Sequence, residues 1–213
     1  MRLLVREETN SVIFKEDYST MDINTLHNTI NNYTPDISSK ARQEIFDLCE
    51  EQIVSGGQMI TEPGKWDGDE YILINGILRI FLLNTEGEEI TLTFYEEFST
   101  LIPHIIRTEN GKSLYYVQAV TDCTLLKMDA EGFRKLMVHN PDVREFGHAV
   151  LRQELANKVN KEIRMASWTA GERLEAMRKE YSMLENFVPH TMIASYLGIT
   201  PISLSRLRKS PSR

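Results

Sequence analysis

The C-terminal end of this sequence carries basic side chains without acidic ones. Residues 186–213 contain no aspartate or glutamate but hold Arg206, Arg208, Lys209 and Arg213, so their net charge is +4. The whole chain has a net charge of −7, so residues 1–185 have a net charge of −11. Guanidinium groups suit bidentate hydrogen bonds to guanine, and ammonium groups suit phosphate. A basic end on an acidic body is typical of a nucleic-acid-binding module joined to a different domain. A solvated basic tail would show the same charge, so charge alone does not decide.

The spacing of residues 190–209 predicts a helix-turn-helix around these basic side chains. Ala194 is small enough for the point where the two helices cross, and Gly198 can take the positive φ of the turn. Thr200 caps the second helix and Pro201 occupies its first turn. The apolar residues between the helices are Ile193, Leu197, Ile199, Leu204 and Leu207. A helical hairpin without a nucleic-acid role is the alternative.

The second helix should turn a polar face outward when Leu204 and Leu207 are buried. Arg206 is then the candidate reader of guanine, and Ile202 can contact only a thymine methyl group. Phosphate contacts are expected from Lys209, Arg208 and, on the first helix, Thr191. The full set of predicted DNA-binding residues is Thr191, Thr200, Pro201, Ile202, Ser203, Ser205, Arg206, Arg208 and Lys209.

A long helix should precede this unit. Asn140-Pro141 combines an N-cap with proline at the first helical position, and nothing breaks the helix until about Ala166. Its start should pack on the preceding domain through Val143, Phe146 and Val150. A second seam of small and apolar residues suits close packing of two copies of the helix, and it consists of Ala149, Ala156, Val159, Ile163 and Ala166. Packing of this seam within its own chain is the alternative to a homodimer.

Residues 58–128 instead show short β-rich runs separated by turns, which predict a closed roll or sandwich. Asn75-Gly76 favours a two-residue hairpin turn between two of these strands. The expected fold is α+β, with an N-terminal β-roll sensor domain (double-stranded β-helix, jelly-roll-like), a long dimerisation helix and a C-terminal helix-turn-helix domain. The expected boundaries are an appendage at 1–20, the roll at 21–140, the dimerisation helix at 141–166 and the helix-turn-helix domain at 167–213.

Other functional classes find little support in the residues. Cys49 and Cys123 are far apart and fit no metal or redox spacing, so we expect packing thiols in a reducing compartment. The five histidines form no cluster, and no strand carries the histidine and carboxylate ligands of a cupin-like enzyme. No segment fits a signal peptide or a membrane span. We expect a cytoplasmic protein without enzymatic activity, metal or cofactor; a module that binds a protein instead of DNA is the remaining alternative.

Two segments resemble the Crp/Fnr superfamily of transcription regulators over about residues 21–209. Residues 71–80 (YILINGILRI) with 86–90 (EGEEI) resemble the family's cyclic-nucleotide-binding roll, and residues 194–206 (ASYLGITPISLSR) resemble its DNA-binding signature. The resemblance implies a homodimer on a palindromic DNA operator, with RNA polymerase as a further candidate partner. Pro201, Ile202 and Arg206 match the family's base-reading positions, although the family usually has a charged residue where Ile202 stands.

The resemblance is weaker in the segment with which some family members bind the phosphate of a cyclic nucleotide. Those members have a Gly-Glu pair and then an Arg-Ser pair, whereas residues 98–103 here (FSTLIP) lack Gly-Glu and Ser113 stands where arginine belongs. Lys112 is one residue out of place. Lys112, Ser113 and Tyr115 are the candidate effector-binding residues. We expect no cyclic AMP binding and an unidentified small-molecule effector, if the roll binds one.

Overall fold

The computed structural model describes residues 23–209, so the predicted appendage at 1–20 and residues 210–213 lie outside the described part. The helices are α1 (Ile23–Asn31), α2 (Ser39–Leu48), α3 (His104–Arg107), α4 (Ala130–His139), α5 (Pro141–Ser167), α6 (Ala170–Glu180), α7 (Leu184–Phe187), α8 (His190–Leu197) and α9 (Pro201–Lys209). The strands are β1 (Glu50–Val54), β2 (Met59–Thr61), β3 (Asp69–Asn75), β4 (Leu78–Leu83), β5 (Glu89–Tyr95), β6 (Ser99–Thr100), β7 (Thr108–Glu109), β8 (Lys112–Ser113), β9 (Tyr116–Ala119) and β10 (Cys123–Asp129).

The strands form a roll of two antiparallel four-stranded sheets, ordered β1-β10-β3-β6 and β2-β9-β4-β5, while β7 and β8 pair separately. This confirms the predicted α+β fold with a roll in front of the helices. Apolar side chains from both sheets fill the space between them. This core consists of Val54, Tyr71, Leu73, Leu78, Ile80, Tyr95, Leu101, Ile102, Val117, Ala119, Cys123 and Leu125.

The predicted hairpin at Asn75-Gly76 is wrong. Strand β3 pairs with β10 and β6, whereas β4 pairs with β5 and β9, so the turn carries the chain from one sheet to the other. Gly76 has φ +99°, and a Cβ atom there would lie 2.4 Å from the carbonyl oxygen of Asp122. Glycine is therefore required for this corner, just as it would be for a tight hairpin. The true hairpin is β4–β5, closed by residues 84–87.

Helices α1, α2 and α4 and the first half of α5 cover the sheet that contains β10 and β3. As predicted, Val143, Phe146 and Val150 pack on the roll, in one core with Ile72 and Leu126. Cys49 and Cys123 are free, buried thiols, and burial raises the pKa of Cys49 to about 12. Both are packing residues, as predicted.

Helix α5 has 27 residues and is about 40 Å long. Its N-cap is Asn140, whose side chain accepts a hydrogen bond from the backbone N–H of Asp142 at 3.0 Å. The next helix, α6, begins with a capping box, in which Thr169 and Glu172 are bonded reciprocally.

The C-terminal helices share a core with the second sheet of the roll. Ile77 and Phe94 of the roll are buried together with residues of α6–α9: Leu174, Met177, Leu184, Val188, Ile193, Ala194, Tyr196, Leu197 and Leu204. The roll and the helix-turn-helix are therefore in direct apolar contact. No helix within residues 23–209 is long and apolar enough to cross a lipid bilayer.

Candidate nucleic-acid interface

The turn between α8 and α9 has the predicted geometry. Gly198 takes the left-handed conformation with φ 66° and ψ 37°, and its backbone N–H donates to the carbonyl of Ser195 at 3.0 Å. The N–H of Ile199 donates to the carbonyl of Ala194 at 3.0 Å, which closes the end of α8. Ala194 is buried where the two helices meet. This is a helix-turn-helix in which each special position carries the residue its backbone requires.

Helix α9 begins with a side-chain cap, as predicted. The hydroxyl oxygen of Thr200 accepts a hydrogen bond from the N–H of Ser203 at 3.1 Å, and the two hydroxyl groups lie 3.0 Å apart. Pro201 follows the cap as the first residue of the helix. Leu204 is fully buried and holds α9 against α8. Thr200 and Ser203 therefore have a structural role that is independent of any ligand.

The outward face of α9 carries the predicted base-reading set. Its exposed residues are Pro201, Ile202, Ser205, Arg206 and Lys209. Ile202 is a large apolar side chain, and it is 65% exposed. The face combines two cations with an apolar group and has no acidic side chain, so it can contact phosphates, base edges and a methyl group at once. Thr191, in the first turn of α8, is also exposed.

Arg208 does not belong to this face. Its Nε donates to Oε1 of Glu185 at 2.9 Å, and its side chain is only 19% exposed. Glu185 also binds Arg178 at 2.6 Å, and this pairing lowers the pKa of the Glu185 carboxyl, with Arg208 adding to the effect. The phosphate contact from Arg208 therefore stays a prediction, while in the structure its guanidinium links α9 to α7.

The outer side of α5 presents an uncovered apolar stripe. Leu151, Leu155, Val159 and Ile163 recur every fourth residue and are 36, 60, 46 and 51% exposed. Of the predicted seam, Ala156, Val159, Ile163 and Ala166 are exposed, but Ala149 is buried within its own chain. Ala149 therefore has almost no surface for a partner. Sequence reasoning missed Leu151 and Leu155, whose four-residue spacing was the available signal.

The three predicted effector residues differ in their surroundings. Lys112 is exposed, whereas Ser113 is buried and its hydroxyl donates to the carbonyl of Tyr115 at 2.8 Å. The buried guanidinium in this region is Arg107, which binds both carboxylate oxygens of Asp67 at 2.7 and 3.0 Å, with both side chains 0% exposed. Arg107 is thus neutralised by the protein itself.

On the side of the roll that faces α5, the polar side chains of Tyr95 and Glu154 are bonded to each other. The hydroxyl of Tyr95 lies 3.2 Å from both carboxylate oxygens of Glu154 and accepts a hydrogen bond from the N–H of Ile102 at 3.1 Å. Burial raises the pKa of Glu154. A separate apolar crevice of about 290 Å³ lies among α3, α4 and α5, where Phe133 and Phe146 line it. The predicted effector residues do not line this crevice.

Helix α8 is also bonded to the roll, which sequence reasoning missed. The hydroxyl of Ser195 donates to the carbonyl of Glu89 at 2.8 Å and accepts from the N–H of Thr91 at 2.9 Å. The ammonium of Lys161 donates to the carbonyl oxygens of Thr91 and Leu92. These bonds connect α5, α8 and β5 at one point. A serine and a lysine with ordinary neighbours gave no sign of this in the sequence.

Comparison with known proteins places these features in context. Residues 51–140 match the cyclic nucleotide-binding domain family. Among solved structures, FixK2 from Bradyrhizobium japonicum is 18% identical with a TM-score of 0.65, covering 75% of this chain and 82% of that one. A putative transcriptional regulator of the Crp/Fnr family from Eubacterium rectale is 19% identical with a TM-score of 0.64, covering 83% and 85%.

A third similar structure is CLP from Xanthomonas campestris, described as a c-di-GMP responsive global regulator. It is 16% identical with a TM-score of 0.63, and the match covers 81% of this chain and 90% of that one. No curated protein sequence matched the chain. At these identities the similarity to solved structures shows a shared fold over the matched part of the chain, and the family match is confined to residues 51–140.

Proposed function

We propose that this chain, which contains a cyclic nucleotide-binding domain and has the fold of Crp/Fnr transcription regulators, is a DNA-binding transcription regulator that acts as a homodimer on palindromic operators. The observation that carries the proposal is the exposed, acid-free face of α9. Arg206 and Lys209 lie on that face, and the buried Leu204 on the opposite side fixes its direction. A regulator of this type acts in the cytoplasm and has no enzymatic activity.

The proposed roles on DNA follow from the position of each side chain. We assign base reading to Arg206, with Ile202 against a thymine methyl group, while Lys209 and Thr191 contact phosphate. Pro201 and Ser205 complete the surface that enters the major groove. Thr200 and Ser203 cap α9 and therefore set where the helix begins. RNA polymerase is a further partner that such a regulator would contact.

The proposed dimer uses the apolar stripe on α5. Two copies of the stripe, packed along a two-fold axis, would cover Leu151, Leu155, Val159 and Ile163. The small Ala156 and Ala166 beside the stripe allow the helices to approach closely. A two-fold dimer would place its two α9 helices in successive major grooves, about 34 Å apart. In this proposal residues 141–166 are the dimerisation helix.

We further propose that the roll does not bind cyclic AMP or cyclic GMP. A cyclic phosphate needs a free guanidinium, whereas Arg107 is held by Asp67 and Lys112 is in solvent. Any effector is therefore a different small molecule. Calorimetry with both cyclic nucleotides tests this point, and micromolar binding of either one contradicts it.

The experiment that tests the function is selection of bound sequences from random double-stranded DNA by the purified chain. A palindromic motif with half-sites about one helical turn apart is the expected result. Enrichment of no sequence, combined with weak binding that does not depend on salt, contradicts the proposal and favours a protein partner.

A further inference from the structure

Strand β5 lies at the open edge of its sheet, and helix α8 covers that edge. The sheet is ordered β2-β9-β4-β5, so one side of β5 bonds to β4 and, among residues 23–209, no strand lies on its other side. An open edge presents unpaired N–H and carbonyl groups. Here the carbonyl of Glu89 and the N–H of Thr91, two residues apart, are both taken by the hydroxyl of Ser195, at 2.8 and 2.9 Å.

One hydroxyl group thus does what a residue of a neighbouring strand would do. In a parallel ladder, such a residue donates its N–H to one strand residue and accepts from the residue two positions further along. The Ser195 hydroxyl both donates and accepts, so it meets both requirements with a single atom. Alanine at this position would leave two backbone groups of β5 without these partners.

A second contact secures the same edge from α5. The pairing of β5 with β4 skips Leu92, since Phe81 faces Thr91 and Ile80 faces Thr93. Such a bulge frees a backbone group from the ladder. The Leu92 carbonyl accepts a hydrogen bond from the ammonium of Lys161, which also donates to the Thr91 carbonyl at 3.3 Å.

Aromatic rings close the contact below these hydrogen bonds. Phe94 of β5 lies 5.4 Å from the ring of Tyr196 and 6.4 Å from the ring of Tyr181, measured between ring centroids. Phe94 is 1% exposed and belongs to the core of the helix-turn-helix domain. The bonds to Thr91 and Leu92 are therefore partly buried, where a hydrogen bond is stronger than in water, whereas the bond to Glu89 is exposed.

We propose that Ser195 is a positioning residue for DNA recognition: by taking the place of a missing strand beside β5, it fixes α8, and through α8 the recognition helix α9, at one orientation relative to the roll. Helices α8 and α9 share a core through Ile193, Leu197 and Leu204, so they move together. In the dimer this contact sets the separation of the two α9 helices. The inference rests on the proposed function for its effect on DNA, but not for the contact itself.

The contact is tested first without DNA, by amide hydrogen exchange in the full chain. Ser195→Ala should speed exchange of the Thr91 amide roughly tenfold, because one hydrogen bond closes it. The Val117 amide, in the middle of the same sheet, should be unaffected. Ser195→Thr keeps the hydroxyl and should restore the wild-type rate. The matched control is Ser167→Ala, since Ser167 is exposed and its hydroxyl bonds only within α5. If Ser195→Ala does not fold, Lys161→Met should loosen the same edge.

The second arm measures binding to the selected operator and to one with a single base pair inserted between half-sites. The wild type should prefer the original spacing by at least about tenfold, since the insertion moves one half-site by about 3.4 Å and rotates it. Ser195→Ala should lose most of that preference, whereas Ser195→Thr and Ser167→Ala should keep it.

Hydrogen exchange and operator binding together distinguish a failure of the Ser195 proposal from a failure of the proposed function. Unchanged Thr91 exchange in Ser195→Ala overturns the positioning role, whatever the DNA result. Faster exchange with an unchanged spacing preference also overturns it. A wild-type chain that selects no operator contradicts the proposed function, while the exchange experiment still decides whether Ser195 holds α8 on β5.

Discussion

The ammonium nitrogen of Lys161 lies 3.8 Å from the centroid of the Tyr196 ring. Lys161 belongs to α5 and Tyr196 to α8, so this cation–π contact joins the long helix to the first helix of the helix-turn-helix. Burial of the ammonium lowers the pKa of Lys161 to about 7, with the charge of Lys158 adding to the effect and that of Glu180 opposing it.

This low pKa predicts a pH-dependent contact between α5 and α8. An exposed lysine has a pKa near 10.4, so burial favours the neutral amine of Lys161, and the folded state gains stability as the pH rises from about 7 to 10. The gain is lost as the pH falls back through that window, and nothing further changes below about 7. NMR titration of the Lys161 side chain should give a midpoint near 7. In Lys161→Met, unfolding by urea should lack the stabilisation between pH 7 and 9, and a midpoint above 10 would contradict the prediction.

The pair Arg107–Asp67 should be essential for the stability of the roll. Both side chains are fully buried, and Asp67→Asn would leave the guanidinium without its counter-charge. The free energy of unfolding in urea should fall by about 3–5 kcal/mol. Asp67→Leu combined with Arg107→Met should recover most of the loss, because no buried charge remains. Glu131→Gln, which removes an exposed ion pair with Arg134, is the control and should leave the urea midpoint unchanged.

The stripe on α5 should be the dimer contact. Leu155→Asp would place two carboxylates opposite each other in an apolar seam and should give monomers at micromolar concentration in analytical ultracentrifugation. Ile163→Asp should have the same effect. Gln153→Asp, an exposed position about half a turn away from the stripe, should remain dimeric. A wild-type chain that sediments as a monomer would show that the stripe packs on something else.

Arg206 should read one base pair in each half-site. Arg206→Ala is expected to cost about 1–3 kcal/mol per half-site and to relax specificity at that base pair. Selection from random DNA by wild type and variant provides the measurement. Arg134→Ala, on the roll surface, is the matched loss of one positive charge and should return the wild-type motif. The same motif at equal strength from Arg206→Ala would mean that α9 does not enter the major groove as assigned.

Lys209 should contribute through phosphate alone. Lys209→Ala is expected to weaken binding to the operator and to unrelated DNA by the same factor. The slope of log affinity against log salt should become shallower by about 1 for each lost contact. Fluorescence anisotropy over a salt series measures both quantities. A variant that loses operator binding but keeps binding to unrelated DNA would indicate that Lys209 reads bases.

The features that could be predicted from the sequence are those whose physical cause is local. Asn140 with Pro141, Thr169 with Glu172, and Gly198 each satisfy or shape backbone groups a few residues away, so helix starts and the helix-turn-helix turn could be read from spacing. The exposed face of α9 could also be predicted from spacing, because a helix that buries Leu204 exposes Arg206 and Lys209. In the structure, these helix starts, the turn and the exposed face of α9 lie close to the predicted positions.

Contacts between segments that are distant along the chain could not be predicted in this way. Asn75-Gly76 suits a hairpin locally, yet the closure of two sheets makes it a corner between them. Arg208 suits phosphate by charge, but Glu185, 23 residues earlier, holds it. Ser195 meets Glu89 across 106 residues, through an edge that exists only once four strands have ordered beside one another. The energy of such a contact depends on which two residues meet and on how deeply they are buried. The local sequence around one of the two residues contains neither piece of information.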